Sequence, residues 1–179
     1  MFNTNDKDLS QAPEIREESL GKIERLLKVI KAGMLTTINS KQELCSRPMI
    51  LQQFDLQAGE LWFFTGRQTG KVFDIEKDSR VNIAFASPGS SSFVSVYGAA
   101  EIVDDKQKEK ELWNPALLAW FPEGLKDPNL VLLCVKINSV EYWDSSSTFV
   151  QIVGFTKALL TGETYKPSLS EHGRVNLNM

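Results

Sequence analysis

"FFTGRQTGKVFDIEKDSR", residues 63–80, begins as an apolar strand, breaks at two glycines set around a threonine, and resumes with Lys71 at the head of a short helical pattern. A strand that turns through glycine into a helix gathers backbone N–H groups and a cation at one point, an arrangement suited to a phosphate. Thr69 reads as the N-cap, Gly70 lets the backbone approach a ligand closely, and Lys71 sets its charge beside the positive end of the helix. Arg47, on the preceding predicted strand, is placed by hairpin pairing to add a second cation. The other reading is that Lys71 and Arg47 are ordinary solvated charges, and composition alone leaves both open.

The turn is not a nucleotide-hydrolysing loop. "GRQTGK" has three residues between its glycines where a Walker A loop needs four, and Val72 stands where the magnesium-binding Ser or Thr would be. No GxGxxG follows a strand, so a nicotinamide-binding Rossmann unit is unsupported. The single histidine, His172, falls in a polar C-terminal stretch, so a Ser-His-Asp triad, a Cys-His pair or a histidine metal site would rest on a tail. No metal site is expected, and no general acid or base stands out in these motifs, which leaves the catalytic residues open.

Working outward, residues 15–30 place Leu20, Ile23, Leu26, Leu27 and Ile30 on one helical face, and Gly33 reads as the stop. Short strands follow: "MLTTIN" (34–39), "SRPMILQQFD" (46–55), "ELWFFT" (60–65), "RVNIAFAS" (80–87), "SFVSVYGAAEIV" (92–103) and "NLVLLCVKINSVEYWD" (129–144), with a possible last one at "FVQIVGF" (149–155). Turn signals such as "QAGE" and "SPGSS" and the short spacing argue for antiparallel hairpins. The expected fold is mainly β with flanking helices, a six- to seven-stranded antiparallel barrel. Two helical insertions interrupt it, "KVFDIEKDS" and the run "DDKQKEKELWNPALLAWF", which Pro115 must kink or divide.

With 179 residues, 42% of them hydrophobic, the chain can bury one sizeable core. The expected division is a polar N-terminal segment (1–14), one barrel domain (15–160) and a loose or partner-bound polar tail (161–179). Acidic residues outnumber basic ones by 23 to 20, and no stretch interleaves cations with aromatics, which argues against nucleic acid. The first eighteen residues lack an apolar signal core, and "LVLLCV" is too short to span a bilayer, so a cytoplasmic protein off the membrane is expected. Cys45 and Cys134, without CxxC spacing, read as free thiols.

The order helix, "SRPM", "WFFTGRQTGK", "VNIAFAS", "VYGAAEIV", "VEYWD" resembles the pyridoxamine-phosphate-oxidase-like FMN-binding split barrels, most closely the general stress protein 26 group, from about Glu17 to Asp144. The resemblance implies FMN as cofactor. By it, Arg47 contacts the flavin phosphate or ribityl chain, and Pro48, Met49 and Ile50 follow the edge of the ring. Phe64 and Thr65 lie close to the ring and chain. Thr69 and Lys71 match the turn that grips the phosphate, with Gly70 in place of an arginine, which shifts weight onto Arg47 or Arg67. Trp143 matches a tryptophan that reaches the flavin bound mainly by the other subunit, which implies a homodimer with flavin at its interface. A core aromatic is the alternative reading of Trp143.

The resemblance also limits the activity. Pyridoxamine-phosphate oxidases carry an Arg-x-His-Asp-Arg segment after this tryptophan, whereas here "DSSSTFVQIVGF" follows. An FMN-dependent oxidoreductase acting on an unidentified small molecule is one expectation, and a non-catalytic stress protein that stores or senses flavin is the other. A barrel holding haem or a deazaflavin is a third, disfavoured for haem by the lone histidine. "WNPALLAWFPEG" (113–124) reads as a cover for substrate or flavin, or as dimer packing.

Overall fold

The computed structural model of the protein describes residues 13–145 and 170–177. Helix α1 (Pro13–Val29) buries Ile23 and Leu27 of its apolar face against the barrel. Strands β1 (Ala32–Ile38), β2 (Leu44–Asp55) and β3 (Glu60–Gly66) lead into helix α2 (Gly70–Lys77). Strands β4 (Arg80–Ser87) and β5 (Ser92–Val103) precede helix α3 (Lys106–Leu112), and β6 (Leu130–Ser145) and β7 (Ser170–Asn176) complete the order.

Every pairing is antiparallel. The sheet runs β3-β2-β1-β4-β5-β6-β7, and an additional β3–β6 pairing closes its first six strands into a barrel, with β7 added along the far half of β6. Period-2 alternation sends Leu35, Phe63, Ile83, Phe85, Val96, Leu133 and Val135 into one core. Closure removes the free edges that an open sheet would expose.

A second, smaller core lies outside the barrel wall, where Phe64, Leu130 and Leu132 meet Leu117 and Phe121. The latter two come from residues 104–129, which cross the outer side of β3 and β6. As Pro115 required, that run is divided: α3 ends at Leu112 and a short 3-10 turn, Pro115–Ala119, follows. Asp105 caps α3 by accepting from the amides of Gln107 and Lys108.

Two sequence expectations are corrected. Gly33 does not stop the helix; α1 ends at Val29, and Gly33 sits inside β1, where a Cβ would come within 2.9 Å of the Ile83 and Phe85 side chains. The stretch expected as a loose or partner-bound tail contains β7, paired to the chain's own β6, and its Gly173 lies so close under the Tyr142 ring that a Cβ would sit 2.6 Å from it. The possible strand at 149–155 lies outside the described residues.

Gly98 marks a register shift between β5 and β6, and a Cβ there would approach the Lys136 carbonyl oxygen to 2.2 Å. Gly70, by contrast, faces open space. In urea unfolding, Gly98→Ala is expected to lose about 1–3 kcal/mol or more through overpacking. Gly70→Ala should stay within about 1 kcal/mol of wild type, on the stabilising side. Equal losses at the two positions would contradict the close approach at Gly98.

Candidate functional site

The cationic site forms where β3 ends and α2 begins. Thr65 is the penultimate residue of β3 and is buried, while Thr69 occupies the N-cap position of α2. The Thr69 hydroxyl donates to the Gly66 carbonyl at 2.8 Å and makes no cap bond to the first turn of α2. It also accepts from Lys71 Nζ at 3.3 Å, and the same ammonium donates to Thr65 Oγ1 at 2.9 Å. Lys71 is thus folded back over the turn and held by two hydroxyls.

Arg47 approaches from β2. Its guanidinium donates to Thr37 Oγ1 and, at 3.3 Å, to Asp74 Oδ2, and Thr37 donates to the same carboxylate oxygen at 2.8 Å. Asp74 lies one helical turn after Lys71 on α2, so this network ties β1, β2 and α2 together. Thr37 and Asp74 were missed by the sequence reading. The signal available for Asp74 was its spacing from Lys71; for Thr37 there was none, because its contact depends on how the strands meet.

The carboxylate of the cluster, Asp74, is taken by Arg47, and among the described residues Lys71 makes no ion pair. Burial holds the Lys71 ammonium below the ordinary lysine value, and the nearby Arg47 charge lowers it further. An anion at this point would relieve both effects. The Gly66–Gly70 turn can admit one, because the space above Gly70 is open. Arg67 does not join the cluster: its guanidinium pairs with Asp104 at the surface.

The other candidate residues are spread over the barrel. Pro48 and Ile50 alternate outward along β2 and are exposed, whereas the Met49 side chain is buried in the core, leaving only its backbone available at that surface. Register sets Met34 opposite Pro48 and Ala84 opposite Met34, extending an outer shelf of small and apolar side chains. Phe64 is buried in the second core with its ring edge-on to Trp113, 6.0 Å between centroids. Trp143 lies on the distal half of β6, separated from β2 by β5, β4 and β1. Asn114 donates to Gln52 Oε1 at 2.9 Å, which anchors residues 113–124 beside the shelf. Leu117 and Phe121 of that stretch pack on the chain's own barrel, and Leu118 and Trp120 remain exposed.

The sequence reading also missed the surroundings of Trp143. His172 of β7 stacks on its indole, with centroids 5.0 Å apart and planes at 19°. Glu141 lies beside it, 3.5 Å from Arg174. Among the described residues no group of three or more His, Cys, Asp or Glu side chains could hold a metal ion, and no helix is long and apolar enough to cross a membrane.

The structure is thus a closed antiparallel barrel with a cation-lined strand-to-helix turn on one flank and an aromatic pair on another. Comparison with known proteins gives the family. A family profile described as pyridoxamine 5'-phosphate oxidase like matches residues 18–166, and the chain belongs to that family. Protein bli-3 of Neurospora crassa is 31% identical over 143 residues, covering 74% of this chain and 68% of that one. The solved general stress FMN/FAD binding protein of Xanthomonas citri is 30% identical, with a TM-score of 0.65 over 74% of this chain and 92% of its own. General Stress Protein 26 of Bacillus anthracis is 26% identical, with a TM-score of 0.62 over 68% and 91%.

The desolvated ammonium gives a pH signature. Because the folded pKa of Lys71 is below the unfolded one, the unfolded chain binds more protons between the two values, so this group's contribution to stability rises with pH across that window. At neutral pH, Lys71→Met should therefore stabilise the ligand-free protein, by no more than about 1 kcal/mol since the group is half-exposed and screened. The gain should shrink as pH climbs toward the unfolded lysine value. A gain that grows with pH would have the wrong sign.

Proposed function

We propose that the protein binds FMN, holding its phosphate between Lys71, Thr69 and Arg47 and its ring along the shelf of Pro48, the Met49 backbone and Ile50. The observation that carries this reading is the half-buried Lys71 ammonium, without an ion pair among the described residues, beside a second cation at an open turn. FMN is an apolar plate with a phosphate tail of nearly two charges, and the site offers a match to each end. When bound, it would supply two-electron transfer, while these residues bind the phosphate and orient the ring. The chain would act as a flavin-dependent oxidoreductase on a small molecule during stress, in the cytoplasm. The names of the general stress relatives support the setting, and so do two free cysteines, one of them, Cys134, with its thiol pushed up to about 12 by burial.

The working unit in this reading is a two-fold dimer with flavin at the interface. Its support is the separation of Trp143 from the phosphate grip. From Ile50 on β2 to β6 by way of β1, β4 and β5 is four strand spacings, about 19 Å along the sheet. The shorter way through β3 leaves β6 at Lys136, well before Trp143. A second chain laying its β5–β6–β7 face over the shelf would bring the indole to the flavin.

A non-catalytic flavin carrier is the second reading. One observation favours it: the carboxylate of the cluster, Asp74, is held by Arg47 and Thr37 and so is poorly placed to move protons.

Flavin titration tests the cofactor. FMN should bind saturably and more tightly than riboflavin, which lacks the phosphate. Charge-assisted hydrogen bonds contribute about 1.5–3 kcal/mol, so Lys71→Ala should weaken FMN roughly tenfold or more and leave riboflavin nearly unchanged. Equal affinity for the two flavins, or an unaffected variant, would make Lys71 a surface charge.

A further inference from the structure

We propose that β7 is part of the flavin site and that His172 is a positioning residue, holding the Trp143 indole in the orientation that meets the flavin of a partner subunit. The inference rests on the flavin reading above and assigns a role to His172, to which that reading gives none.

The argument starts from how firmly β7 is fixed. It pairs with β6 from Ser139 opposite Asn176 to Ser145 opposite Ser170. Val175 is fully buried in the main core, and Gly173 lets the strand close directly onto the Tyr142 ring, whose hydroxyl lies 3.3 Å from Ser19 of α1. With Gly173 and Val175 turned inward, alternation turns His172 and Arg174 outward, onto the face that carries Glu141 and Trp143. His172 is directly opposite Trp143 in the register.

The ring geometry follows from that register. The stack at 5.0 Å and 19° is an offset parallel arrangement, which fixes the indole plane more tightly than an aliphatic neighbour would. The Nε2 of the imidazole lies 4.0 Å from Glu141 Oε2, beyond hydrogen-bond reach, and the other oxygen of Glu141 lies 3.5 Å from Arg174 Nη1, so the carboxylate borders the stack. On the opposite flank, register sets the part-exposed Phe93 of β5 beside Trp143. An indole on an exposed sheet face would otherwise sample several rotamers, and ordering it on binding would weaken the ligand. A pre-stacked His172 removes that loss.

Full-length His172→Ala and His172→Phe test this, with FMN and riboflavin titrations and near-ultraviolet circular dichroism of the ligand-free protein. Because the indole serves the ring and not the phosphate, His172→Ala should weaken both flavins by the same factor, about three- to tenfold, and reduce the tryptophan dichroism. His172→Phe, which keeps a planar stacking partner, should restore both within about twofold. A purely structural β7 would lower the unfolding midpoint of His172→Ala without changing riboflavin affinity, and that outcome overturns the proposal. So does His172→Phe binding no better than His172→Ala. Failure of the underlying reading is separate: wild-type protein that binds no flavin, or Lys71→Ala that leaves FMN unchanged, would remove the site whatever His172 does.

Discussion

The pairing of β3 with β6 is the constraint on which the rest of the molecule depends. From Glu60 opposite Lys136 to Gly66 opposite Leu130 it turns an open meander into a closed barrel. Closure requires residues 104–129 to pass outside the wall, and they bury the outward side chains of both strands in a second core. It also ends β3 at the rim, where the chain reverses through Gly66. The Arg67 amide donates to the Asn129 carbonyl at 2.7 Å, and the Gln68 amide to the Asn129 side chain at 3.0 Å, so the turn is held from the start of β6 as well. The position of Lys71 is therefore a consequence of barrel topology.

A protein gains nothing in stability by folding an ammonium back over a turn beside a guanidinium. Desolvation and like charge both oppose it, and the two hydroxyls that hold Lys71 offset only part of the penalty. Such an arrangement is understandable if an anion supplies the missing charge. The Arg47–Thr37–Asp74 network serves another need: it neutralises one cation and fixes β1, β2 and α2 together, while Lys71 makes no ion pair among the described residues. Trp143 and His172 form a stacked pair on the outward face of β6 and β7; in the proposed dimer that pair meets a flavin held by another chain.

Much of this was legible in the residues. Alternation is strong in β1, β4 and β5 because one face of each fills the core, whereas β3 and the first half of β6 read as near-continuous apolar runs because the second core covers their outer side. The glycines around Thr69 mark the strand-to-helix turn by their spacing. Strand β7 was hidden because only Val175 of "SEHGRVN" is apolar; Gly173 occupies the other inward position precluding any hydrophobic signal, since Tyr142 fills that space. Gly33 misled for a related reason, being small to make room for Ile83 and Phe85 and not to end a helix. Thr37 and the His172 stack depend on strand register across long separations, which no local pattern encodes. Phe64, expected near the flavin, is covered by the chain's own Trp113.

The shared site is tested most directly by mixing two variants in one dimer. If Lys71 and Trp143 serve the same flavin from different chains, a hybrid of one Lys71→Ala subunit and one Trp143→Ala subunit collects both defects in one site and leaves the other wild type. Doubly tagged hybrids purified away from both parents would be titrated with FMN beside those parents, each of which should bind more weakly than wild type. The account predicts that half of the flavin capacity returns with wild-type affinity. A hybrid that binds no better than its parents, or a protein that sediments as a monomer, would contradict it.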